Sequence, residues 1–200
     1  MPTIIQKQHI EFYRKVMLRK KLLIYALPGA AYVPFIGDGD LAVECLTGRK
    51  LYGADIAPDR VERARERLPD MIIKIYDCNF WPFGILDEVF SIADFDAYSH
   101  PYAAFISFWH MADKAQRVVL FFTDGHRQAI NRLGIWNKPD GTSERNLDIK
   151  RRRELYNFYY RRFIRPWLDS FIVQEDYHIL REAFYLRKDM LYFGVVIEHV

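Results

Sequence analysis

Apolar and polar positions along the chain form short blocks that predict strands and helices in alternation. Apolar runs of strand length occupy residues 32–36, 51–56, 71–76, 89–93 and 117–123. Segments with helical spacing lie before and between them, at 4–26, 41–46, 58–68 and 102–115. Strands that alternate with helices in this way pair in parallel through crossover helices. The pattern therefore predicts an α/β fold in which a doubly wound sheet lies between two helical layers.

The last third of the chain breaks this alternation. Residues 134–150 are polar and rich in turn-forming residues, and we predict a mobile loop there, followed by a helix over 151–171. Two apolar strands, 178–186 and 190–198, are separated only by a short charged turn. These strands must be antiparallel, because a parallel crossover needs about a dozen residues or more. The whole pattern predicts a Rossmann-like, mostly parallel sheet that ends in an antiparallel hairpin.

The length of 200 residues is typical of one domain, and we expect residues 1–200 to form one, with 1–28 as an N-terminal helical extension. In this first helix Phe12 and Val16 belong to the apolar face, and basic side chains such as Lys15 and Arg19 are expected largely elsewhere.

Composition excludes several classes of protein. Half of the residues are hydrophobic and 28% are charged, which excludes a wholly disordered or collagen-like chain. The net charge of +3 permits a polyanionic partner without requiring one. The longest apolar run is interrupted by prolines and is shorter than the ~20 residues of a membrane span, and the N-terminus lacks a signal-peptide cleavage site. Two cysteines and scattered histidines give neither a disulfide framework nor a metal motif, so we expect no metal, no membrane partner and a cytoplasmic setting.

A glycine-rich loop, GDGDLA at 37–42, follows the first predicted strand and fits G-x-G-x-x-A. Asp55 ends the next strand, where an acid bonds ribose hydroxyls. This fingerprint alone does not separate a nicotinamide dinucleotide from S-adenosylmethionine. Asp38 and Asp40 favour the second, because like charges ~4 Å apart repel by ~1–4 kcal/mol and a dinucleotide would bring a pyrophosphate beside them. An ordinary tight turn with solvated aspartates is the alternative.

Aspartates follow four predicted strands, as Asp55, Asp77, Asp94 and Asp124. Ligands of open parallel sheets bind beyond the carboxyl ends of the strands. An aspartate at such a place also caps a following helix, which is the alternative for each one taken singly. Four on one edge favour a ligand site.

With these features the chain resembles class I S-adenosylmethionine-dependent methyltransferases over most of residues 31–200. The resemblance is carried by FIGDGDLA, by the acids in YGADI and YDCNFWPF, and by the terminal hairpin. It implies S-adenosylmethionine as cofactor. The residues that it assigns to this cofactor are Gly37, Asp38, Gly39, Asp40, Asp55, Ile56, Asp77, Cys78 and Asp94.

The resemblance implies that Gly37 and Gly39 admit the methionine part, Asp55 holds the ribose, and Asp77 approaches the adenine amine, with Cys78 or Phe80 near the ring. Two other positions depart from the family pattern. Phe35 stands where an acid usually precedes the first glycine by two residues, and Leu41 stands where a third glycine often occurs.

The segment DFDAYSHPY at 94–102 offers groups suited to methyl transfer. The reaction is an in-line displacement, so the protein must aim the lone pair of the acceptor at the methyl group. A fixed oxygen that accepts the N–H of an exocyclic base amine does this, and an aromatic ring stacks on the base. The spacing D-x-D-x-Y-x-x-P resembles the motif of the tRNA guanine N2-dimethyltransferases, and VVLFFTD resembles their next strand. By this resemblance Asp96, or its partner Asp94, orients the amine and Tyr98 faces the base. An acidic loop that caps the next helix is the alternative.

A basic and aromatic stretch at 150–165 is typical of nucleic-acid binding, where arginines contact phosphates and rings stack on bases. A solvated helix face is the alternative. The candidates for substrate binding are His100, Tyr102, Asp124, Arg151, Arg152 and Arg153.

Together these features predict a methyltransferase that modifies an exocyclic amine of a nucleic-acid base, with RNA favoured over DNA. Two alternatives stay open. One is a methyltransferase for small molecules or proteins, and the other is a non-catalytic nucleic-acid-binding module on a degenerate Rossmann scaffold.

Overall fold

The computed structural model of the chain describes residues 4–187 and 189–200, with side chains from residue 11 onwards. The helices are α1 (Ile4–Leu23), α2 (Asp40–Leu46), α3 (Pro58–Arg67), α4 (Tyr102–Met111), α5 (His126–Leu133), α6 (Ile149–Phe158) and α7 (Arg165–Ile172). The strands are β1 (Ala30–Pro34), β2 (Leu51–Asp55), β3 (Ile72–Ile75), β4 (Val89–Phe95), β5 (Asp113–Asp124), β6 (Trp136–Asn137), β7 (Ser143–Glu144), β8 (Tyr177–Arg187) and β9 (Met190–His199).

Seven strands form the central sheet, in the order β3-β2-β1-β4-β5-β9-β8. Strands β1 to β5 pair in parallel, whereas β9 pairs antiparallel with both β5 and β8. The predicted fold class is thereby confirmed, including the antiparallel hairpin at the end of the sheet. The strand order reverses between β1 and β4, and the carboxyl ends of these two strands frame the site described below.

Alternating strand residues pack into two separate cores, one on each face of the sheet. In β5, Leu120 and Phe122 pack with the layer of α4 to α7, and Val119 and Phe121 pack with the layer of α1 to α3. The first core is rich in aromatic rings, such as Phe122 stacked on Phe193 with centroids 4.5 Å apart. The protein therefore has the predicted three layers, with α1 as part of one of them.

Two predicted boundaries are wrong in ways that affect the site. Strand β4 was predicted to stop at residue 93 but continues to Phe95, so Asp94 is a strand residue. The predicted helix 151–171 is interrupted by a π-helix, Tyr159–Ile164, between α6 and α7. This wide turn buries two consecutive tyrosines: the Tyr159 hydroxyl donates to Asp124 and the Tyr160 hydroxyl donates to Glu182.

The segment predicted as a mobile loop, 134–150, carries its own antiparallel ladder of β6 and β7. The side chains of Trp136 and Leu147 are buried in the core, and α6 begins at Ile149. The polar composition of the segment gave no indication that Trp136 and Leu147 are buried.

No helix in the described part of the chain is both long enough and apolar enough to cross a membrane.

Candidate active site

A cavity of about 510 Å³ lies at the carboxyl ends of β1 and β4. The glycine loop after β1 forms one wall, and the end of β4 with Thr123 of β5 forms another. Helix α1, the β8–β9 hairpin and Arg60 of α3 contribute the remaining residues. Small-molecule sites have volumes of about 300–1,000 Å³ and occur where the strand order of such sheets reverses. The position and size of the cavity therefore suit a cofactor or a small acceptor.

The glycine loop depends on backbone conformations that favour glycine. Gly37 and Gly39 are left-handed, with φ values of 55° and 82°. A Cβ atom on Gly39 would lie 3.3 Å from Leu68, whereas a Cβ on Gly37 would meet no atom within 4 Å. The second glycine thus packs closely against the end of α3, and the first one borders open space in the cavity wall.

Asp55 holds this loop in place from the end of β2. Its Oδ2 atom accepts the Gly37 N–H at 3.0 Å, and its Oδ1 atom accepts the Ala57 N–H at 3.0 Å. One carboxylate therefore joins the glycine loop to the start of α3. Each oxygen retains one acceptor position besides these two hydrogen bonds.

Phe35 is the third left-handed residue near the loop, with a φ of 61° that costs a non-glycine residue about 1–2 kcal/mol. Its N–H donates to the Cys78 sulfur at 3.3 Å, and the Cys78 thiol donates to the Ala54 carbonyl at 3.4 Å. Burial raises the pKa of the Cys78 thiol to about 11, so it is neutral near pH 7. Cys78 thus stabilises the strained turn at Phe35 by linking its N–H to the Ala54 carbonyl.

The loop carboxylates face arginines of α3. Asp38 accepts from Arg63 at 3.0 Å, and Asp40 pairs with Arg67. Their charges are compensated, so the sequence-based argument that they would repel a pyrophosphate loses its basis. Two further cofactor candidates lie at the surface: Ile56 is 69% exposed, and Asp77 accepts the Asn79 N–H within a turn after β3.

At the end of β4, Asp94 is buried in an ion pair with Arg19 of α1. The Nε and Nη2 atoms of Arg19 donate to its two oxygens, both at 2.6 Å, and each side chain is 2% exposed. Burial lowers the pKa of Arg19, but Asp94 outweighs this and raises it above its ordinary value. Arg19 was expected away from the apolar face, and that expectation is wrong, because Asp94 makes its burial possible.

Asp96, two residues further on, contacts α1 in the same way but faces the cavity. Lys15 donates to its two oxygens at 2.7 and 2.8 Å, and the Thr123 hydroxyl donates to its Oδ1 atom. Burial raises the pKa of Asp96, but Lys15 and Arg19 outweigh it, so the pKa lies below its usual value. Asp96 is therefore a stable carboxylate and a weak base.

The Lys15–Asp96 and Arg19–Asp94 pairs form side by side because the spacing of the two basic residues along α1 equals that of the two acids. Residues four apart on a helix are separated by about 6 Å along its axis, and residues two apart on a strand by about 6.6 Å. Lys15 and Arg19 therefore stand opposite Asp96 and Asp94 and dock α1 on β4 in a fixed register. We call these four residues the ion-pair ladder. Sequence reasoning did not predict the roles of Lys15 and Arg19. The only signal for them is that the spacing of the two basic residues on the helix, K-x-x-x-R, equals in length the spacing of the two acids, D-x-D.

The remaining residues of the 94–102 segment separate into exposed and buried groups. Tyr98 lines the cavity and is 91% exposed. Tyr102 and Asp124 are fully buried, and the Tyr102 hydroxyl donates to Asp124 at 2.5 Å. His100 lies edge-on to Tyr102, with its Nε2 atom 3.3 Å from the Lys138 carbonyl oxygen. Burial raises the pKa of Tyr102 well above its ordinary value, so it remains a hydrogen-bond donor.

The predicted basic patch is largely engaged within the protein. Arg151 pairs with Glu144 and Glu154, and Arg152 donates to the Leu147 carbonyl at 2.7 Å. Arg153 is exposed on α6. Two of these three arginines therefore fix the 134–150 segment to α6.

Sequence reasoning also missed the cavity wall formed by the hairpin. Arg187, at the end of β8, pairs with Glu11 of α1 at 3.1 Å, and both residues line the cavity with Met190 and Tyr192 of β9. Nothing in the local sequence indicates that the hairpin tip approaches α1.

Known structures share the fold of this chain, although comparison of its sequence with known families and curated proteins found no match. No protein-family model matches the chain, and no curated protein matches its sequence. Solved structures do match it.

Magnesium protoporphyrin IX methyltransferase from Synechocystis PCC 6803, solved with bound SAH, has a TM-score of 0.60 and 14% identity, over 100% of this chain and 89% of that chain. The N-methyltransferase NodS from Bradyrhizobium japonicum WM9 has a TM-score of 0.58 and 11% identity, over 94% and 96%. The tRNA m1G37 methyltransferase of M. jannaschii has a TM-score of 0.55 and 10% identity, over 93% of this chain and 48% of that chain. This chain therefore has the Rossmann-like fold of methyltransferases.

A metal centre is not evident at this site: the described residues contain no group of three or more His, Cys, Asp or Glu side chains placed to bind a metal ion.

Proposed function

We propose that this protein is an S-adenosylmethionine-dependent methyltransferase. The observation that carries the proposal is the cavity at the strand-order reversal, which has an open glycine cradle on one wall and the Asp96 carboxylate on another. The cofactor would supply an electrophilic methyl group on a sulfonium. The protein would hold the acceptor beside Asp96 and exclude water from the reacting pair.

The residues around the glycine loop fit this cofactor. A Cβ on Gly37 would project into open space, so the backbone there is accessible to a ligand. Asp55 retains acceptor capacity for ribose hydroxyls, and the exposed Ile56 offers an apolar surface beside it. Asp77, after β3, is the candidate for the adenine amine.

The protonation state of Asp96 favours an amine as the acceptor. Lys15 and Arg19 hold its pKa below the usual value, despite burial, so it is an ionised carboxylate that accepts hydrogen bonds. An amine of a heteroaromatic ring attacks through its own lone pair and loses its proton afterwards. A carboxylate oxygen that accepts the amine N–H would aim that lone pair, which is the role we propose for Asp96.

We further propose that this amine belongs to a nucleic-acid base, with RNA favoured over DNA. The exposed ring of Tyr98 at the cavity is suited to stack on a base, and the exposed Arg60 in the cavity wall is suited to phosphate. One of the similar structures is named as a tRNA methyltransferase. Of the three arginines predicted to bind substrate, Arg151, Arg152 and Arg153, only Arg153 is exposed, which makes it suited to contact RNA.

Two variants test the division of the site into cofactor and acceptor sides. Asp55→Ala should weaken S-adenosylhomocysteine binding at least tenfold by isothermal titration, because it removes the support of the glycine loop. Asp96→Asn should leave that affinity within about twofold and lower methyl transfer by at least 100-fold. If the folded wild-type protein gives no saturable heat with S-adenosylhomocysteine, the proposal fails.

The acceptor class is tested by radiolabelled methyl transfer to total RNA, genomic DNA and a protein extract in parallel, with Asp96→Asn as the control for each. We expect label in RNA. Label only in DNA would overturn the preference for RNA, and label only in protein would refute the nucleic-acid acceptor while leaving the methyltransferase in place. Binding to RNA should also weaken steeply with salt if several phosphates are contacted.

A further inference from the structure

We propose that Lys15 of α1 is a positioning residue of the methyl-transfer site, which keeps Asp96 ionised and leaves its Oδ2 atom facing the acceptor. This inference rests on the proposed function. It assigns a role in the reaction to a helix that the sequence motifs do not include.

The hydrogen bonds of Asp96 are unequal. Its Oδ1 atom accepts from both Lys15 and Thr123, which uses its two acceptor positions. Among the described residues, its Oδ2 atom accepts only from Lys15, at 2.8 Å. One acceptor position therefore remains on Oδ2, and Asp96 lines the cavity. This atom is the one that can take the N–H of an acceptor.

The position of Lys15 distinguishes it from Arg19, its neighbour one helical turn away. Arg19 is 2% exposed and docks α1 on the sheet through Asp94. Lys15 is 20% exposed, lines the cavity, and has its Nζ atom 5.4 Å from the centre of the Tyr192 ring. The buried pair already fixes the helix, so the pair at the cavity is free to serve the acceptor.

The charges around Asp96 make Lys15 the main control of its ionisation. Lys15 and Arg19 of α1 pair with Asp96, Asp94 of β4 shares Arg19 with it, and Tyr192 of β9 is close to it. Glu11 of α1 and Arg187 of β8 line the same cavity and pair with each other. Burial raises the pKa of Tyr192, so this ring is neutral. Arg19 lies 3.8 Å from Asp96 and is already committed to Asp94. Without Lys15, burial and the neighbouring Asp94 would both favour protonation of Asp96.

Lys15→Met and Lys15→Arg test the proposal in the full-length protein. Lys15→Met should lower kcat about 100-fold, the cost of a misplacement near 1 Å, and move the acid limb of the kcat–pH profile upward. Its Kd for S-adenosylhomocysteine should stay within about twofold. Lys15→Arg should keep most of the wild-type kcat, because arginine carries the same positive charge as lysine. Lys20→Met is the matched control, since Lys20 on the same helix is exposed and pairs with Glu44.

A second measurement separates failure of this inference from failure of the proposed function. The carboxyl ¹³C signal of Asp96 can be titrated in wild type and in Lys15→Met, with S-adenosylhomocysteine present and no turnover. An upward shift of the midpoint in Lys15→Met supports the inference; an unchanged midpoint overturns it, whether or not an acceptor is methylated. If wild type is active and Lys15→Met keeps its kcat and pH profile, the inference is overturned and the methyltransferase stands.

Discussion

At the scale of single residues, the two glycines of the loop have different physical reasons to be glycine. Gly39 is left-handed and close to the end of α3, so its conformation favours glycine and its packing leaves little room for a side chain. Gly37 is left-handed but borders open space. A side chain at Gly37 would therefore obstruct a ligand bound at the glycine loop, and would not clash with the protein itself.

Gly37→Ala and Gly48→Ala form a matched pair that tests this difference. Both glycines are left-handed, with φ values of 55° and 87°, and a Cβ on either meets no atom within 4 Å. Each substitution should therefore lower the free energy of unfolding by about 1–2 kcal/mol through backbone strain alone. Only Gly37→Ala should weaken S-adenosylhomocysteine binding, by calorimetry, because Gly48 lies in a turn after α2. Equal affinities in the two variants would contradict the cradle.

Residue types alone gave only part of the site. The acid at Asp55 could be predicted because the strand pattern and the glycine loop fix its place in the sheet. The burial of Asp124 could not, because its partners Tyr102 and Tyr159 come from α4 and the π-helix, 22 and 35 residues away. A strand-end aspartate looks the same in sequence whether it faces a ligand or two tyrosines.

At the scale of elements, the docking of α1 on β4 is the contact that completes the cavity. Helix α1 was predicted as an extension of the domain, but it packs in the α1–α3 layer and its Glu11 and Lys15 line the cavity. Basic residues four apart usually indicate a solvated helix face. Their burial becomes predictable only when the helix is paired with the strand that carries D-x-D.

A double-mutant cycle on Arg19 and Asp94 tests the energy of this docking. Arg19→Met should lower the free energy of unfolding by about 3–5 kcal/mol, because it leaves a buried carboxylate without its partner. Arg19→Met with Asp94→Leu should recover most of that loss, since no buried charge remains. Urea denaturation measures each variant. Additive losses in the double variant would mean that the two side chains do not depend on each other.

At the scale of the whole molecule, the parallel pairing of the first five strands and the antiparallel hairpin at the end could be predicted, because they follow from the alternation of apolar blocks and one short turn. The approach of the β8–β9 hairpin to α1 could not, because the Glu11–Arg187 pair joins residues from opposite ends of the chain. Long-range pairs of this kind leave no local pattern.

The ion-pair ladder also predicts how stability depends on pH. The folded pKa of Asp96 lies below its unfolded value, so its contribution is fully present above the unfolded pKa, about 3.9, and is lost as pH falls through the folded pKa. The difference in unfolding free energy between wild type and Asp96→Asn should therefore shrink as pH is lowered from about 5 to 2. Denaturation at stepped pH measures it.

Salt distinguishes this contribution from that of a surface pair. Asp59 is exposed and pairs with Arg63 on α3, and its hydrogen bond from Arg63 lowers its pKa. At about 1 M salt the effect of Asp59→Asn should disappear, while that of Asp96→Asn should persist because its partner is partly buried. Equal loss of both effects would contradict the ladder.

The π-helix between α6 and α7 has a consequence for how this chain can change in length. A π turn holds about one residue more than an α turn, so deleting one residue from Tyr159–Ile164 would close it to regular α-helix and leave the buried Leu168 and Ile172 facing the core. The change would fall on the wide turn itself, where the Tyr159 and Tyr160 hydroxyls donate to Asp124 and Glu182. We therefore expect a single deletion here to disturb the packing of α7 far less than a deletion within α6 or α7, at the expense of these two hydrogen bonds.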